Sequence, residues 1–140
     1  MNIYFSCSIT GGRQDEAVYQ AIVKTLMAAG HEVPTAHLSG SNVMDLEAAA
    51  DAREIYHRDV NWVNGCDAVV AEVSTPSHGV GYEIALALLS GKPVLCCYQH
   101  GRKVSKMILG NDLPNLTLAP YHSPLEAQAA VIAFLEKLHP

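Results

Sequence analysis

Residues 68–83 read AVVAEVSTPSHGVGYE, and this stretch decides the fold. Its first part, Ala68–Val73, is a short and nearly continuous apolar run, which is typical of a strand covered on both faces in a parallel sheet. Turn-forming residues follow at 74–77, and the apolar segment Ile84–Leu89 then ends at Gly91, a natural residue to follow a helix. The stretch therefore predicts one strand–turn–helix unit.

Similar units run along the rest of the chain. Apolar residues at helical spacing occupy residues 17–27, 44–64 and 125–138, with short apolar runs between them. The predicted strands are Ile3–Ser6, Glu32–Thr35, Ala68–Val73, Pro93–Tyr98 and Leu116–Pro120. This alternation predicts a single α/β domain over residues 1–140, with a doubly wound, five-stranded parallel sheet of the Rossmann or flavodoxin type.

A doubly wound sheet also predicts where a ligand binds. The site lies at the carboxyl ends of the strands, where the strand order reverses. Three loops of suitable composition follow predicted strands, at residues 7–13, 74–81 and 100–104. We therefore look for chemistry in and beside these loops.

The composition excludes several classes of function. The chain has 140 residues, of which 49% are hydrophobic, and a net charge of −5, which argues against gripping a nucleic acid polymer. No apolar run approaches the roughly 20 residues that span a bilayer, and the N-terminus lacks a signal-peptide pattern, so we expect a cytoplasmic protein without membrane contact. The cysteines and histidines lack metal-ligand spacing, which predicts buried reduced thiols and implies no metal or cofactor.

Two acids are candidates for catalysis. A capping-box acid would stand three residues after Ser77, so Glu83 lies a further turn inside its helix, where it faces either solvent or the ligand crevice. The glycines of the preceding turn, such as Gly79, let a ligand approach, and the free N–H groups at the helix start can bind an anion. A second acid, Asp59, stands near the end of the second helical region, where a solvated side chain is the more common outcome.

The loop after the first strand is a weaker signal. Residues 6–13 read SCSITGGR and open a helix, which is the usual position of a phosphate-binding loop. The pattern is neither GxGxxG nor a P-loop, so dinucleotide and nucleoside triphosphate sites lack their fingerprints. Arg13 could reach a phosphate, or it could pair with Asp15 or Glu16 on the helix surface.

Taken together, these segments resemble the 2′-deoxynucleoside 5′-phosphate N-hydrolase family, a branch of the nucleoside 2-deoxyribosyltransferase-like proteins. Four anchors occur in order over nearly the whole chain: YF, SI and GGR within residues 4–13, DVNW at 59–62, AEV, PS and GVGYE within 71–83, and RKVSKMI at 102–108. The resemblance implies hydrolysis of the N-glycosidic bond of a 2′-deoxynucleoside 5′-monophosphate. It also implies a homodimer, with no cofactor, no polymeric nucleic acid and no membrane as partner.

The resemblance also implies roles for individual residues. Glu83 matches a nucleophile that forms a covalent deoxyribosyl-enzyme, Asp59 matches the acid that assists departure of the base, and Tyr4 matches a residue that orients the nucleophile and crowds the 2′ position. The expected substrate-binding set is Ser8, Ile9, Thr10, Gly11, Tyr19, His37, Ser77, Gly79, Ser105 and Met107, with Ser105 and Met107 completing the site of the neighbouring subunit. Thr10 stands where well-known members carry arginine, and Cys7 where glycine is frequent.

Chemistry independent of the resemblance favours the same assignment. Glycosidic cleavage passes through a state resembling an oxocarbenium ion, which a nearby carboxylate stabilises and can capture. A retaining mechanism needs two carboxyl groups with separate roles.

Two other functions remain open at this point. A nucleoside 2-deoxyribosyltransferase would return the sugar to a second base, but such enzymes carry aspartate where Ser77 stands, and a carboxylate there repels phosphate. A nucleotide-sensing domain would bind without turnover, although a pure binding site does not need paired acids.

Overall fold

Four parallel strands form the central sheet of the computed structural model, which describes residues 1–139. They are hydrogen-bonded in the order β1 (Ile3–Ser6), β2 (Ala68–Glu72), β3 (Val94–Gln99) and β4 (Leu116–Tyr121). Every residue of β2 is buried, as its nearly continuous apolar sequence predicts. Four of the predicted strands are thus confirmed to within a residue or so at their ends.

Helices cover both faces of this sheet. They are α1 (Glu16–Ala28), α2 (Val43–Ala48), α3 (Ala52–Gly65), α4 (His78–Leu89), α5 (Lys106–Leu109) and α6 (Pro124–Leu138), with a 3-10 turn at Ala36–Ser39. Side chains alternate along β1, so Ile3 and Phe5 pack with α1 and α6, whereas Tyr4 packs with α3 and α4. The predicted α/β architecture with a parallel sheet is confirmed.

The predicted fifth strand, Glu32–Thr35, is wrong. Only Glu32 pairs with the sheet, in a single parallel bridge to Asn2 beside β1. Pro34 has no N–H to extend the ladder, and the N–H of Phe5 donates instead to the Thr35 side-chain Oγ1 at 2.9 Å. The chain then turns into the 3-10 segment. The Thr35 side chain therefore accepts the hydrogen bond that a backbone carbonyl of the predicted strand would have accepted.

The helix predicted from Met44 to Asn64 is two helices. α2 ends at Ala48, and Asp51 adopts an extended conformation as the N-cap of α3, where its side chain accepts a hydrogen bond from the Arg53 N–H at 3.2 Å. Aspartate at an N-cap stabilises a new helix start. Because of this break, α2 and α3 are separate helices, and α2 forms one side of the cavity described below.

Loops at the carboxyl ends of the strands are tied together by polar contacts. Thr75 Oγ1 donates to Asp15 at 2.9 Å, and Arg102 donates to the same carboxylate at 3.2 Å. A Cβ on Gly11 would lie 2.3 Å from the Pro76 carbonyl oxygen, so only glycine lets these two loops touch. The network joins the loops that follow β1, β2 and β3 into one platform.

Two further expectations concern the cysteines and the membrane. Cys7, Cys66, Cys96 and Cys97 are all free and buried, as predicted. Within residues 1–139, no helix combines the length and the apolar character that crossing a membrane requires.

Candidate active site

Two carboxyl groups from different helices lie in one cavity near the carboxyl end of β1. Glu83 comes from the second turn of α4, and Asp59 from α3. Both line a cavity of about 320 Å³, called the central cavity below, together with Ile9, Thr10 and Ser77. Small-molecule sites occupy roughly 300–1,000 Å³. The structure therefore brings together the two acids that the sequence singled out.

Glu83 holds its proton more tightly than an ordinary glutamate. Burial is the main cause and raises the pKa of its carboxyl group to about 7, with a smaller increase from the charge of Asp59. A hydrogen bond from the Ser6 hydroxyl to Oε2, the nearby Tyr4 hydroxyl and the positive charge of Arg58 act in the opposite direction. At neutral pH this carboxyl exchanges between its two protonation states, a property typical of catalytic acids and nucleophiles.

Tyr4 packs beside the two acids. It precedes Ser6 by two residues, so both side chains point to the same face of the sheet. The Tyr4 side chain is fully buried, and within residues 1–139 its hydroxyl forms no hydrogen bond of normal geometry. Burial, with the charges of Glu83 and Asp59, raises the pKa of this phenol. A neutral, unpaired hydroxyl thus stands next to the candidate nucleophile.

Arg58 connects Asp59 to a third acid. Its Nε donates to Asp59 Oδ1 at 2.8 Å, and its Nη2 donates to Glu47 Oε1 at 3.0 Å. The guanidinium lies over the indole of Trp62, with 4.9 Å between Cζ and the ring centroid. Glu47 also lines the central cavity. Arg58 therefore fixes the orientation of Asp59 and leaves Oδ2 without a hydrogen bond among the described residues.

The start of α4 forms the other end of the central cavity. Ser77 is the N-cap, and its Oγ accepts a long 3.5 Å hydrogen bond from the Val80 N–H. Gly79 lines the cavity beside it. The Ser8 side chain lies in the adjoining loop, fully buried, and its hydroxyl has no partner in residues 1–139. Gly11 sits over it, since a Cβ there would lie 2.8 Å from Ser8 Oγ.

Arg13 stabilises the loop after β1 through hydrogen bonds to backbone carbonyls. It donates to the Ser8 carbonyl at 3.1 Å and to the Gly40 carbonyl at 2.9 Å, and it lies 3.5 Å from the Glu16 carboxylate. The pairing with Glu16 is the surface alternative that the sequence left open. The guanidinium is occupied by these contacts and does not line the central cavity.

Tyr19 and His37 do not line the central cavity. Tyr19 packs against Phe5 in the core, with ring centroids 6.1 Å apart, and lies under the Arg13 guanidinium. His37 stands behind the cavity wall, where its Nε2 lies 3.7 Å from Glu47 and its ring meets Trp62 edge to face. His37 is therefore one contact away from the site, through Glu47.

Ser105 and Met107 lie in a different depression. They line an open groove of about 880 Å³ between α4 and α5, which we call the α5 groove. Ser77 borders both this groove and the central cavity. Within one chain, these two residues do not meet Glu83 and Asp59. Met107 is 84% exposed, so its side chain projects from the surface.

Among the charged and hydroxyl-bearing residues at the two acids, Ser6, Glu47 and Arg58 were not predicted from the sequence. Ser6 could have been found, because a residue two positions after Tyr4 in a strand shares its face. The pairing of Arg58 with Glu47 depends on how α2 and α3 meet. No local pattern signals that contact.

A second cavity adjoins the first. It measures about 350 Å³, has Tyr56 and Tyr82 on its wall, and also includes Asp59 and Glu83 in its lining. The two tyrosine rings lie 6.4 Å apart at a steep angle, and both are about half exposed. The two acids thus stand at the junction of two cavities.

The chain as a whole is similar to known proteins. The profile of the nucleoside 2-deoxyribosyltransferase family matches residues 3–129. A Methanococcoides burtonii protein, provisionally named 2′-deoxynucleoside 5′-phosphate N-hydrolase 1, is 39% identical over 84% of this chain and 97% of its own. The 5-hydroxymethyl-dUMP N-hydrolase of Danio rerio is 45% identical over 79% of this chain and 78% of its own.

A solved structure supports the fold independently. The CMP N-glycosidase of Clostridium botulinum superposes with a TM-score of 0.73 at 18% identity, covering 95% of this chain and 99% of its own. At this identity the similarity concerns the fold alone.

Proposed function

The chain belongs to the nucleoside 2-deoxyribosyltransferase family, and we propose that it hydrolyses the N-glycosidic bond of 2′-deoxynucleoside 5′-monophosphates, giving free base and 2-deoxyribose 5-phosphate. The observation that carries this proposal is the pair formed by Glu83, whose pKa is raised to about 7, and Asp59 in one cavity. The helix start at Ser77 lies at the other end of that cavity. Relatives named as N-hydrolases support hydrolysis over base exchange.

In the proposed reaction the two acids hold one proton between them, and this proton is on Asp59 when the ionised Glu83 carboxylate attacks C1′. The bond between C1′ and the base nitrogen breaks, its electron pair leaves with the base, and Asp59 gives the base a proton through Oδ2. Water then adds to C1′ of the glycosyl ester, losing its proton to Asp59, and the Glu83 carboxylate is released. Positive charge develops on the sugar in both steps, and the carboxylate stabilises it.

Tyr4 supports the choice of a 2′-deoxy sugar. Its buried ring packs beside Glu83, so an added 2′-hydroxyl would have to enter space next to a rigid aromatic side chain. The unpaired phenol can also donate to the carboxylate when substrate changes its position. We therefore expect a higher kcat/KM for deoxyribonucleotides than for ribonucleotides.

The 5′-phosphate is assigned to the start of α4. N–H groups at a helix start attract an anion, and a serine at position 77 does not repel a phosphate. The buried hydroxyl of Ser8 gives a second argument, because an unpaired buried polar group costs about 1–3 kcal/mol and a ligand that accepts its hydrogen bond recovers part of that cost. Thr10 supplies no cation, and Arg13 is held by two carbonyls, so hydroxyl and backbone donors carry the binding.

A dimer would complete this site. Ser105 and the exposed Met107 lie in the α5 groove, away from the acids of their own chain. We assign them to the phosphate and base ends of the partner's central cavity. Mixing an inactive Glu83→Ala chain with an inactive Ser105→Glu chain should then restore activity, because some heterodimers contain one site with both native residues. A monomer, or no recovery after verified subunit exchange, would place the whole site within one chain.

The decisive experiment is a substrate panel. Deoxyribonucleoside and ribonucleoside 5′-monophosphates, 5-hydroxymethyl-dUMP and the unphosphorylated deoxynucleosides are incubated with the protein, and free base is measured by chromatography. We expect release from deoxyribonucleoside monophosphates only, and none with Glu83→Gln. Efficient exchange with an added acceptor base would indicate a transferase, and saturable binding without release would indicate a sensing domain.

A further inference from the structure

Ser6 is the last residue of β1 and is completely buried. Its side chain shares the face of the sheet on which Tyr4 lies, and it reaches α4, where its Oγ donates a hydrogen bond to Oε2 of Glu83. The Tyr4 hydroxyl also stands close enough to lower the pKa of this carboxyl group, but among residues 1–139 it makes no hydrogen bond of normal geometry. A single rigid strand residue therefore holds the candidate nucleophile.

The surroundings of Glu83 make this contact important. The ionisable and charged groups around its carboxyl are Tyr4 of β1, Cys7 of the next loop, Asp59 and Arg58 of α3, and Glu47 of α2 in the same cavity. Of these, only Arg58 carries positive charge, and both hydrogen bonds recorded for it go to other acids. Among the described residues, Ser6 is thus the neutral group that hydrogen-bonds to Glu83, while the Tyr4 hydroxyl lies beside the carboxyl without a regular hydrogen bond.

We propose that Ser6 is a positioning residue, which holds Oε2 of Glu83 so that Oε1 faces C1′ of the sugar. This inference rests on the proposed role of Glu83 as the nucleophile. A carboxylate with one oxygen fixed loses the freedom to rotate away from the attacking geometry, and orientation of this kind accelerates attack. The same hydrogen bond favours the charged form that attacks, since a hydroxyl stabilises a carboxylate by donating to it.

The test compares Ser6→Ala with two other variants. Ser6→Thr keeps a hydroxyl at the same place, and Ser39→Ala removes another buried serine hydroxyl, one that donates to the Ala36 carbonyl and does not touch Glu83. The pH profile of kcat/KM is measured for each with the best monophosphate. The titration of Glu83 is followed in parallel by carbon NMR of labelled glutamate carboxyls, assigned by its loss in Glu83→Gln.

In Ser6→Ala we expect the acidic limb of the kcat/KM profile to move to higher pH by about one unit. At pH values on the acidic side of the limb, kcat/KM should therefore fall roughly tenfold. The Glu83 resonance should shift with it, KM should change little, and Ser6→Thr should recover most of the rate. Ser39→Ala should keep the native limb. A purely structural role would lower the melting temperature of Ser6→Ala without moving the limb.

The two readouts separate this inference from the proposed function. If the native protein releases base but Ser6→Ala keeps the native limb and the native Glu83 titration, the positioning role is refuted while the function stands. If the native protein releases no base from any nucleotide, the function is refuted, and the NMR titration still decides whether Ser6 controls Glu83. An unshifted resonance in Ser6→Ala overturns the inference in either case.

Discussion

Replacing Glu83 with glutamine should abolish turnover and stabilise the protein above neutral pH. Folding buries the Glu83 carboxyl and raises its pKa from 4.5 to about 7, so the folded state binds the proton more tightly than the unfolded chain does. Stability from this group is therefore complete below about pH 4.5 and is lost as the pH rises through about 7. Glutamine stays neutral at every pH, and its amide oxygen can still accept the hydrogen bond from Ser6.

The magnitude follows from the size of the pKa change. At about 1.36 kcal/mol per unit, a shift of this size corresponds to about 3 kcal/mol. We treat this as an upper limit, because Glu83 borders an open cavity where solvent screens part of the penalty. For a chain of this length, each kcal/mol raises the melting temperature by about 3–4 °C. The variant should melt several degrees higher than the native protein in mildly alkaline buffer.

Urea unfolding followed by circular dichroism measures the effect. The free energies of unfolding of the native protein and of Glu83→Gln are compared at about pH 5 and about pH 8.5, a pair that spans most of the titration. Glu136→Gln, a change at an exposed residue of α6, controls for the loss of one negative charge. The reasoning is refuted if Glu83→Gln gains no more at the higher pH than at the lower one, or if it gains no more than the control.

Three further changes test other parts of the site. Asp59→Asn should lower the rate about 10²–10⁴-fold for natural bases and much less for a 4-nitrophenyl leaving group, which departs without a proton; equal losses on both substrates would remove Asp59 from the acid role. Arg58→Met removes a positive charge that favours ionised Glu83, so the acidic limb of the kcat/KM profile should move upward, and an unmoved limb would contradict the electrostatic argument. Gly11→Ala places a Cβ 2.3 Å from the Pro76 carbonyl oxygen. By analogy with overpacked cores, it should lower the free energy of unfolding by about 1–3 kcal/mol and raise KM for the monophosphate. A native melting temperature and a native KM would show that the two loops can move apart freely.

Most of the sheet could be predicted because its strands carry local signals. Ala68–Glu72 and Val94–Gln99 are short apolar runs bounded by turn residues, and burial on both faces leaves such runs few alternatives. Glu32–Thr35 is also a short segment of strand length, but it contains Pro34, which has no N–H to donate to a neighbouring strand. Whether the Thr35 side chain or a backbone carbonyl satisfies Phe5 is decided by tertiary packing, which the sequence pattern does not contain.

The candidate site divides in the same way. Glu83 could be found because it lies six residues after Ser77, too far into the helix to belong to a capping box. Asp59 could be found because it belongs to one of the four ordered motifs that carry the family resemblance. Arg58 and Glu47 could not, since their ion pair depends on the break between α2 and α3 at Asp51. Contacts between separate secondary-structure elements are the part of a site that sequence periodicity leaves undetermined.

The separate α2 helix has a consequence for how substrate preference can change. Glu47 and Met44 of α2 line the central cavity, whereas the acids stand on α3 and α4. Val43 anchors α2 in the core, and Glu47 connects it to Arg58 of α3 and to His37. A substitution at Met44 therefore changes the shape of the central cavity without removing either acid or the Arg58 contact that orients Asp59.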